Sequence, residues 1–134
     1  MNARILNWGE PPHSCGELAV PDIPAKTREE LVLSFCEGMI DISAAFFCVS
    51  SKELRRVGRT SLAVSRVRQI AMYVAHTLLG LSMKEVGRGF GRDRTTVLHA
   101  CHLIEDMRED AEFDRHVTLI ECVALAAFGS RLER

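Results

Sequence analysis

The sequence predicts an all-α fold of about six helices with a helix-turn-helix inside it. Three observations carry that prediction. Apolar residues recur at the three-and-four spacing of a helix face through most of the chain. Ser or Thr stands three residues ahead of Glu at Thr27–Glu30, Ser50–Glu53 and Ser82–Glu85, the pattern of a capping box. A short capped segment at 82 leads through a glycine-rich turn into a longer amphipathic run, the outline of a helix-turn-helix. Composition agrees: 47% of the 134 residues are hydrophobic, only 6% are aromatic, and no stretch reads as a strand or an internal repeat.

Residues 1–26 hold all four prolines (Pro11, Pro12, Pro21, Pro24) and no sustained periodicity, so they read as an irregular N-terminal arm with Trp8 as its candidate anchor. Residues 27–134 read as one helical domain. Its first helix starts at Thr27 and carries Leu31, Phe35, Met39, Ile42 and Phe46, widened by Val32, Cys36, Ile40 and Phe47; Gly38 weakens it slightly. A short second helix runs from Ser50 to about Arg56, followed by a basic connector, Val57–Ser61. The third spans roughly Leu62 to Leu79, with Val67, Ile70, Ala71, Val74, Ala75 and Leu78 on one face and Arg66, Arg68 and Gln69 near its start; Gly80 suits a left-handed stop. The fourth is very short, starting at Ser82 and ending at Gly87-Arg88-Gly89-Phe90-Gly91. The fifth runs from about Asp93 to Asp110 with Val97, Cys101, Ile104 and Met107 inward. The sixth, Val117 to Phe128, is apolar almost all round and must be buried, against this core or at a homodimer interface.

The formal net charge of −1 hides a segregation. Residues 1–49 have three Lys/Arg against seven Asp/Glu, residues 50–108 eleven against five, and residues 109–134 three against six, giving −4, +6 and −3. A local cationic patch of this kind is what phosphate attraction needs, although a solvated charged face produces the same pattern. No run of 18 apolar residues offers a membrane span, and the N-terminus lacks the apolar core of a secretory signal. Five cysteines without paired spacing read as free thiols, mostly core-filling, in a reducing cytoplasm.

Several catalytic and metal-binding patterns fail on chemistry. His99 and His102 share a helix face, but a metal needs two further ligands and Cys101 points elsewhere. His13-Ser14-Cys15 is too sparse for zinc. Glu105, Asp106, Glu109, Asp110 and Glu112 read as the solvated end of the fifth helix rather than as paired catalytic carboxylates. No spacing suggests a nucleophilic triad. The reading is therefore a protein that is not an enzyme and carries no cofactor or metal.

The informative stretch is 82–102. Its second helix opens Arg92-Asp93-Arg94-Thr95-Thr96. A recognition helix reads base edges mainly with its N-terminal residues. Arg grips guanine O6 and N7 together, Thr bonds an edge or packs on a thymine methyl, and the helix N-terminus favours phosphate.

Three segments carry a family resemblance: Arg68-Gln69-Ile70-Ala71-Met72-Tyr73-Val74-Ala75, Ser82-Met83-Lys84-Glu85-Val86-Gly87-Arg88-Gly89-Phe90-Gly91, and Arg92-Asp93-Arg94-Thr95-Thr96-Val97-Leu98-His99-Ala100. Together they resemble the C-terminal DNA-binding domain of the bacterial chromosomal replication initiator DnaA, densely over 65–105. The resemblance implies a Trp-repressor-like fold that binds double-stranded DNA at short initiator boxes. It implies base contacts from Asp93, Arg94 and Thr95, with Arg92 beside them. It implies phosphate contacts from Gln69, Ser82, Met83, Thr96 and His99, to which Lys84 and Arg88 are added by charge. It also implies a basic loop in the minor groove. There this chain departs from the family, reading Thr60-Ser61-Leu62, so Arg55, Arg56 and Arg59 are the candidate substitutes. A single glycine, Gly91, precedes Arg92-Asp93 where the family has two. Arg94 stands where the family often has His, which favours guanine and shifts the preferred site.

No Gly-x-x-x-x-Gly-Lys-Ser/Thr loop occurs, so no nucleotide is expected. The expectation is a stand-alone, cytoplasmic, nucleoid-associated reader of duplex DNA that regulates replication initiation or transcription, with dimerisation through 117–128 open to it. The competing reading is a helical interaction module that kept the fold and lost DNA binding.

Overall fold

Hydroxyl caps set where the first four helices begin. In the computed structural model, which describes residues 26–132 with side chains to Gly129, Thr27, Ser50, Ser61 and Ser82 each accept a backbone N–H three residues on. The helices are α1 (Arg28–Phe47), α2 (Ser51–Arg55), α3 (Leu62–Thr77), α4 (Met83–Phe90), α5 (Arg94–Met107) and α6 (Ala111–Leu132), and among the described residues there is no strand. The arm with Trp8, His13 and Cys15 lies outside the described residues. Thr27–Glu30 and Ser82–Glu85 form full capping boxes, whereas at Ser50–Glu53 only the serine half is made.

The central element is α3. Its residues from Ile70 to Ala75 are buried without interruption, so Met72 and Tyr73 are covered as well as the face read from the sequence. A helix covered on all sides has partners on all sides: α1, α4, α5 and α6 pack around it. Burying Val, Ile or Met side chains as fully as Met39, Val74, Val97 and Ile104 contributes roughly 1.5–3 kcal/mol each. Gly80 turns the chain at φ 70 as expected.

The last helix departs from expectation in extent and in burial. It starts at Ala111, not Val117, and of its residues described with side chains it buries Val117, Ile120, Ala124 and Phe128. Leu119, Val123 and Leu125 face outward, because a helix lying on one side of a core can bury only one stripe. Gly38 makes the contact possible: a Cβ there would lie 2.5 Å from Cζ of Phe128. The freed space lets Phe128 meet Phe35 edge-on, with centroids 5.3 Å apart.

A polar network ties down the start of α6. Arg108 donates from Nε to Asp114 at 2.6 Å and from Nη1 to the Tyr73 hydroxyl at 3.2 Å, and its Nη2 reaches Thr118 and Glu121. Tyr73 donates to Glu105 at 2.6 Å. Glu105 is thus part of an inter-helix network and not simply a solvated helix end. Burial opposes the charge of Arg108, but the bonds it donates to Asp114, Tyr73 and Glu121 outweigh it and raise its pKa. The fifth helix stops at Met107, so Arg108 sits at the corner where one side chain reaches both neighbours.

The largest local departure is in α4. Gly87 and Gly89 do not end the helix; α4 continues through them to Phe90, and Gly91 stops it as a left-handed C-cap. A Cβ on Gly89 would fall on the Cys36 side chain, 2.6 Å from its Cβ, and one on Gly87 would lie 2.6 Å from the Arg92 carbonyl oxygen. Both glycines serve close approach. Across the same contact, Arg28 forks onto Glu85 (2.9 and 3.1 Å) and Arg88 meets Glu29 at 3.0 Å. Burial pushes the Cys36 thiol up to about 12, which leaves it unreactive, and Cys101 is buried too; Cys48 and Cys122 are exposed rather than core-filling.

Gly87→Ala should destabilise the protein by about 1–3 kcal/mol in urea unfolding, because the Arg92 backbone must move to admit the methyl group. The fork from Arg28, and then the Ser82 N–H, hold Glu85 well below the usual carboxylate range, at about 2. A carboxylate with a depressed folded pKa stabilises above its unfolded value of about 4.5 and loses that contribution as pH falls toward 2. Glu85→Gln should therefore flatten the loss of thermal stability between those pH values, measured by melting curves against pH.

Candidate nucleic-acid interface

The turn between α4 and α5 is closed by its own backbone. Gly91 takes the left-handed conformation, φ 65, that a side chain would oppose, and the Arg92 N–H donates to the Gly87 carbonyl at 2.8 Å. The chain re-enters a helix at Arg94 with Asp93 as N-cap, yet the Asp93 carboxylate makes no capping bond. Asp93, Arg94, Thr95 and Thr96 are all exposed, and His99 follows one turn later, also exposed. Val97, Ala100, Cys101 and Ile104 hold the opposite face of α5 in the core. The first turn of this helix thus presents an acceptor, a forked cation and two hydroxyls on a rigid base.

Beside that turn lies an open groove of about 330 Å³ between the start of α3 and the start of α5. Gln69, Arg92, Asp93 and Thr96 line it, so Gln69 on α3 meets the start of α5, more than twenty residues on, at one surface. Ser65 lines it as well and was not foreseen. Its signal was its place one turn before Gln69 on the same helix. Gln69 accepts from Arg66 at 3.0 Å, and Ser65 shares a hydrogen bond with Thr60 at 2.9 Å.

Two arginines anchor the adjoining connector. Arg68, 8% exposed, donates to the carbonyls of Leu54 (2.9 Å), Glu53 (3.2 Å) and Arg56 (3.5 Å). Arg92 reaches across from the recognition turn to the same Arg56 carbonyl at 2.7 Å. Burial, and then the nearby charge of Arg92, lower the pKa of Arg68. The connector is thereby tied to the helix-turn-helix at a fixed distance.

The other candidates divide by what already holds them. Arg55 pairs with Asp41 at 3.2 Å, Arg56 with Glu53 at 3.7 Å, and Arg88 with Glu29 at 3.0 Å. The Ser82 hydroxyl is engaged in its capping box, and Met83 packs partly against the core. Among the described residues Arg59, Lys84 and Arg94 are exposed with no acidic partner. His99 and His102 are exposed, and no third ligating side chain joins them among the described residues.

Residues 36–104, just over half of the chain, match the sequence family described as bacterial DnaA protein helix-turn-helix. Among solved structures the chain is similar to a DNA replication initiation factor, with 26% identity over 72% of this chain and a TM-score of 0.65. It is similar also to a replication initiator DnaA bound to AMPPCP and single-stranded DNA, with 25% identity over 73% of this chain and a TM-score of 0.64. It spans about 30% of the length of each of those proteins.

Arg68→Met should cost about 1–3 kcal/mol in urea unfolding, since it takes the side-chain donor from the buried Leu54 carbonyl and loosens the Glu53 and Arg56 carbonyls. Arg92→Ala should cost under about 1 kcal/mol, because water reaches the Arg56 carbonyl once that more exposed side chain is gone.

Proposed function

The chain belongs to the bacterial DnaA helix-turn-helix family, and on that premise we propose that it binds double-stranded DNA sequence-specifically at initiator-box-like sites, in the control of replication initiation. One observation carries the reading: the exposed, unengaged Asp93-Arg94-Thr95-Thr96 turn beside an open groove. An interaction module has no physical use for that arrangement.

In this reading α5 enters the major groove by its N-terminus. Arg94 takes guanine O6 and N7 with both arms of its fork, and the Asp93 carboxylate accepts from cytosine N4. Thr95 bonds an edge or packs on a thymine methyl. Arg92 is bound to the Arg56 carbonyl, so it serves as strut first and base contact second. Gln69 and Thr96 line the groove, His99 stands one turn further along α5, and all three meet phosphates as hydrogen-bond donors. Lys84 supplies an unopposed cation at the start of α4. Arg88 shares its charge with Glu29, and any phosphate must compete with that pair. Ser82 and Met83 act through the helix N-terminus they form more than through their side chains. The reading needs no nucleotide and no metal.

A second role has one observation in its favour. Leu119 and Val123 share an outward face of α6, which suits a homodimer or another protein partner. A dimer would present two recognition helices and favour paired half-sites; control of transcription would use the same surface.

Fluorescence anisotropy tests the reading, using an initiator-box duplex, a scrambled duplex and the single strand of the box as competitor. Binding to the box duplex about 10³-fold tighter than to scrambled DNA is expected. Preference for the single strand, or no binding at low salt, would overturn it. Arg94→Ala should cost about 1–3 kcal/mol on the box and relax the preference at one base pair. Lys84→Ala should weaken all duplexes alike and lower the salt slope by about 1.

A further inference from the structure

Beyond its first turn, α5 carries a second polar feature. Thr95, His99, His102 and Asp106 follow one another at steps of four, three and four residues, and so form one stripe along the helix. All of them are exposed, while Val97, Ala100, Cys101 and Ile104 hold the opposite side in the core. Neither imidazole has an acidic partner among the described residues. On α5 itself the charged neighbours are Arg94 before the stripe and Asp106 at its end, and Glu105 is engaged by Tyr73. Of the helices packed on α5, α3 sets its His76 ring against the Leu81 carbonyl and bonds Arg66 to Gln69, and its Arg68 holds the connector. The other, α4, turns Glu85 to Arg28 and Arg88 to Glu29 and leaves Lys84 exposed.

With the first turn of α5 among base edges, this stripe runs outward to the DNA backbone. At 1.5 Å of rise per residue, His99 stands about 6 Å and His102 about 10 Å beyond Thr95 along the helix axis. The major groove is about 8.5 Å deep, so His99 meets its wall and His102 its rim, where the phosphates lie. Lys or Arg at these places would hold phosphate at any pH near neutrality. A neutral imidazole offers one N–H, whereas a protonated one offers two and a charge, and the change falls near physiological pH.

We propose that His102 joins His99 as a phosphate contact at the rim of the major groove, and that protonation of the two rings sets how tightly the protein holds duplex DNA. This rests on the duplex-DNA reading above. A phosphate beside the ring favours its charged form, so binding takes up protons and tightens as pH falls. Sequence preference stays constant, because Arg94, which grips the base, is charged throughout. Affinity and selectivity are thereby carried by different turns of one helix.

The test is fluorescence anisotropy between about pH 8 and about pH 6, on the duplex that the wild type enriches from a random pool and on a scrambled version of it. Wild type should tighten on both by about tenfold as pH falls, with the ratio between them unchanged and a salt slope steeper by up to about 2. His102→Gln should reduce the gain to about threefold, and His99→Gln/His102→Gln should abolish it. Both should keep the wild-type melting temperature, because the two rings are exposed. His102→Arg should bind more tightly than wild type at about pH 8 and retain only the share of the gain that His99 supplies. His116→Gln, exposed on α6, should leave the wild-type profile unchanged. A wild type whose affinity ignores pH, or a His102→Gln or double variant that tightens as wild type does, would overturn this proposal and leave the duplex reading standing. A wild type that enriches no duplex would overturn both.

Discussion

The close approach of α4 to its neighbours is the constraint on which the rest of the site depends. On one side Gly89 lets the helix lie against Cys36 of α1; on the other, Gly87 lets the turn fold back until the Arg92 carbonyl fills the space of the missing Cβ. The turn then closes through the Arg92–Gly87 hydrogen bond, and α5 leaves at the angle that turn dictates. The exposure of Asp93, Arg94 and Thr95 follows from it. A bulkier residue at Gly87 would move the backbone that aims the first turn of α5, and one at Gly89 would push α4 off α1.

The cationic middle of the chain is less free than its arithmetic suggests. Arg68 is consumed by backbone carbonyls and Arg108 by a network with Tyr73, Asp114 and Glu121. Arg55, Arg56 and Arg88 have acidic partners, each at exposed positions where such pairs contribute little to stability and are screened by salt. Among the described residues of that segment, Lys52, Arg59, Lys84 and Arg94 are exposed without an acidic partner. These free cations lie on α2, the loop after it, the start of α4 and the first turn of α5.

The two anchored arginines also unite features that would otherwise be independent. Because Arg68 and Arg92 both donate to the Arg56 carbonyl, the loop between α2 and α3, the groove lined by Gln69 and Thr96, and the recognition turn share one rigid frame. At the far side of α3, Arg108 does the same for α5 and α6. The fold is thus held by an apolar centre along α3 with a polar clasp on either flank.

The sequence by itself determined the number and order of the helices, the capped starts at Thr27, Ser50 and Ser82, the inward stripes of α1 and α5, and the Arg92–Thr96 run. These are local properties: side-chain periodicity and hydroxyl caps act within a few residues, so a single chain displays them. Only the tertiary structure decided what the glycines of α4 were for, since close approach depends on Cys36 and Arg92 arriving from elsewhere. It alone separated Arg68 and Arg108 from the outward cations, placed Ser65 in the groove, and exposed half of α6. Partnering and burial are relations between distant segments, and periodicity records which face of a helix is apolar but not whether anything covers it.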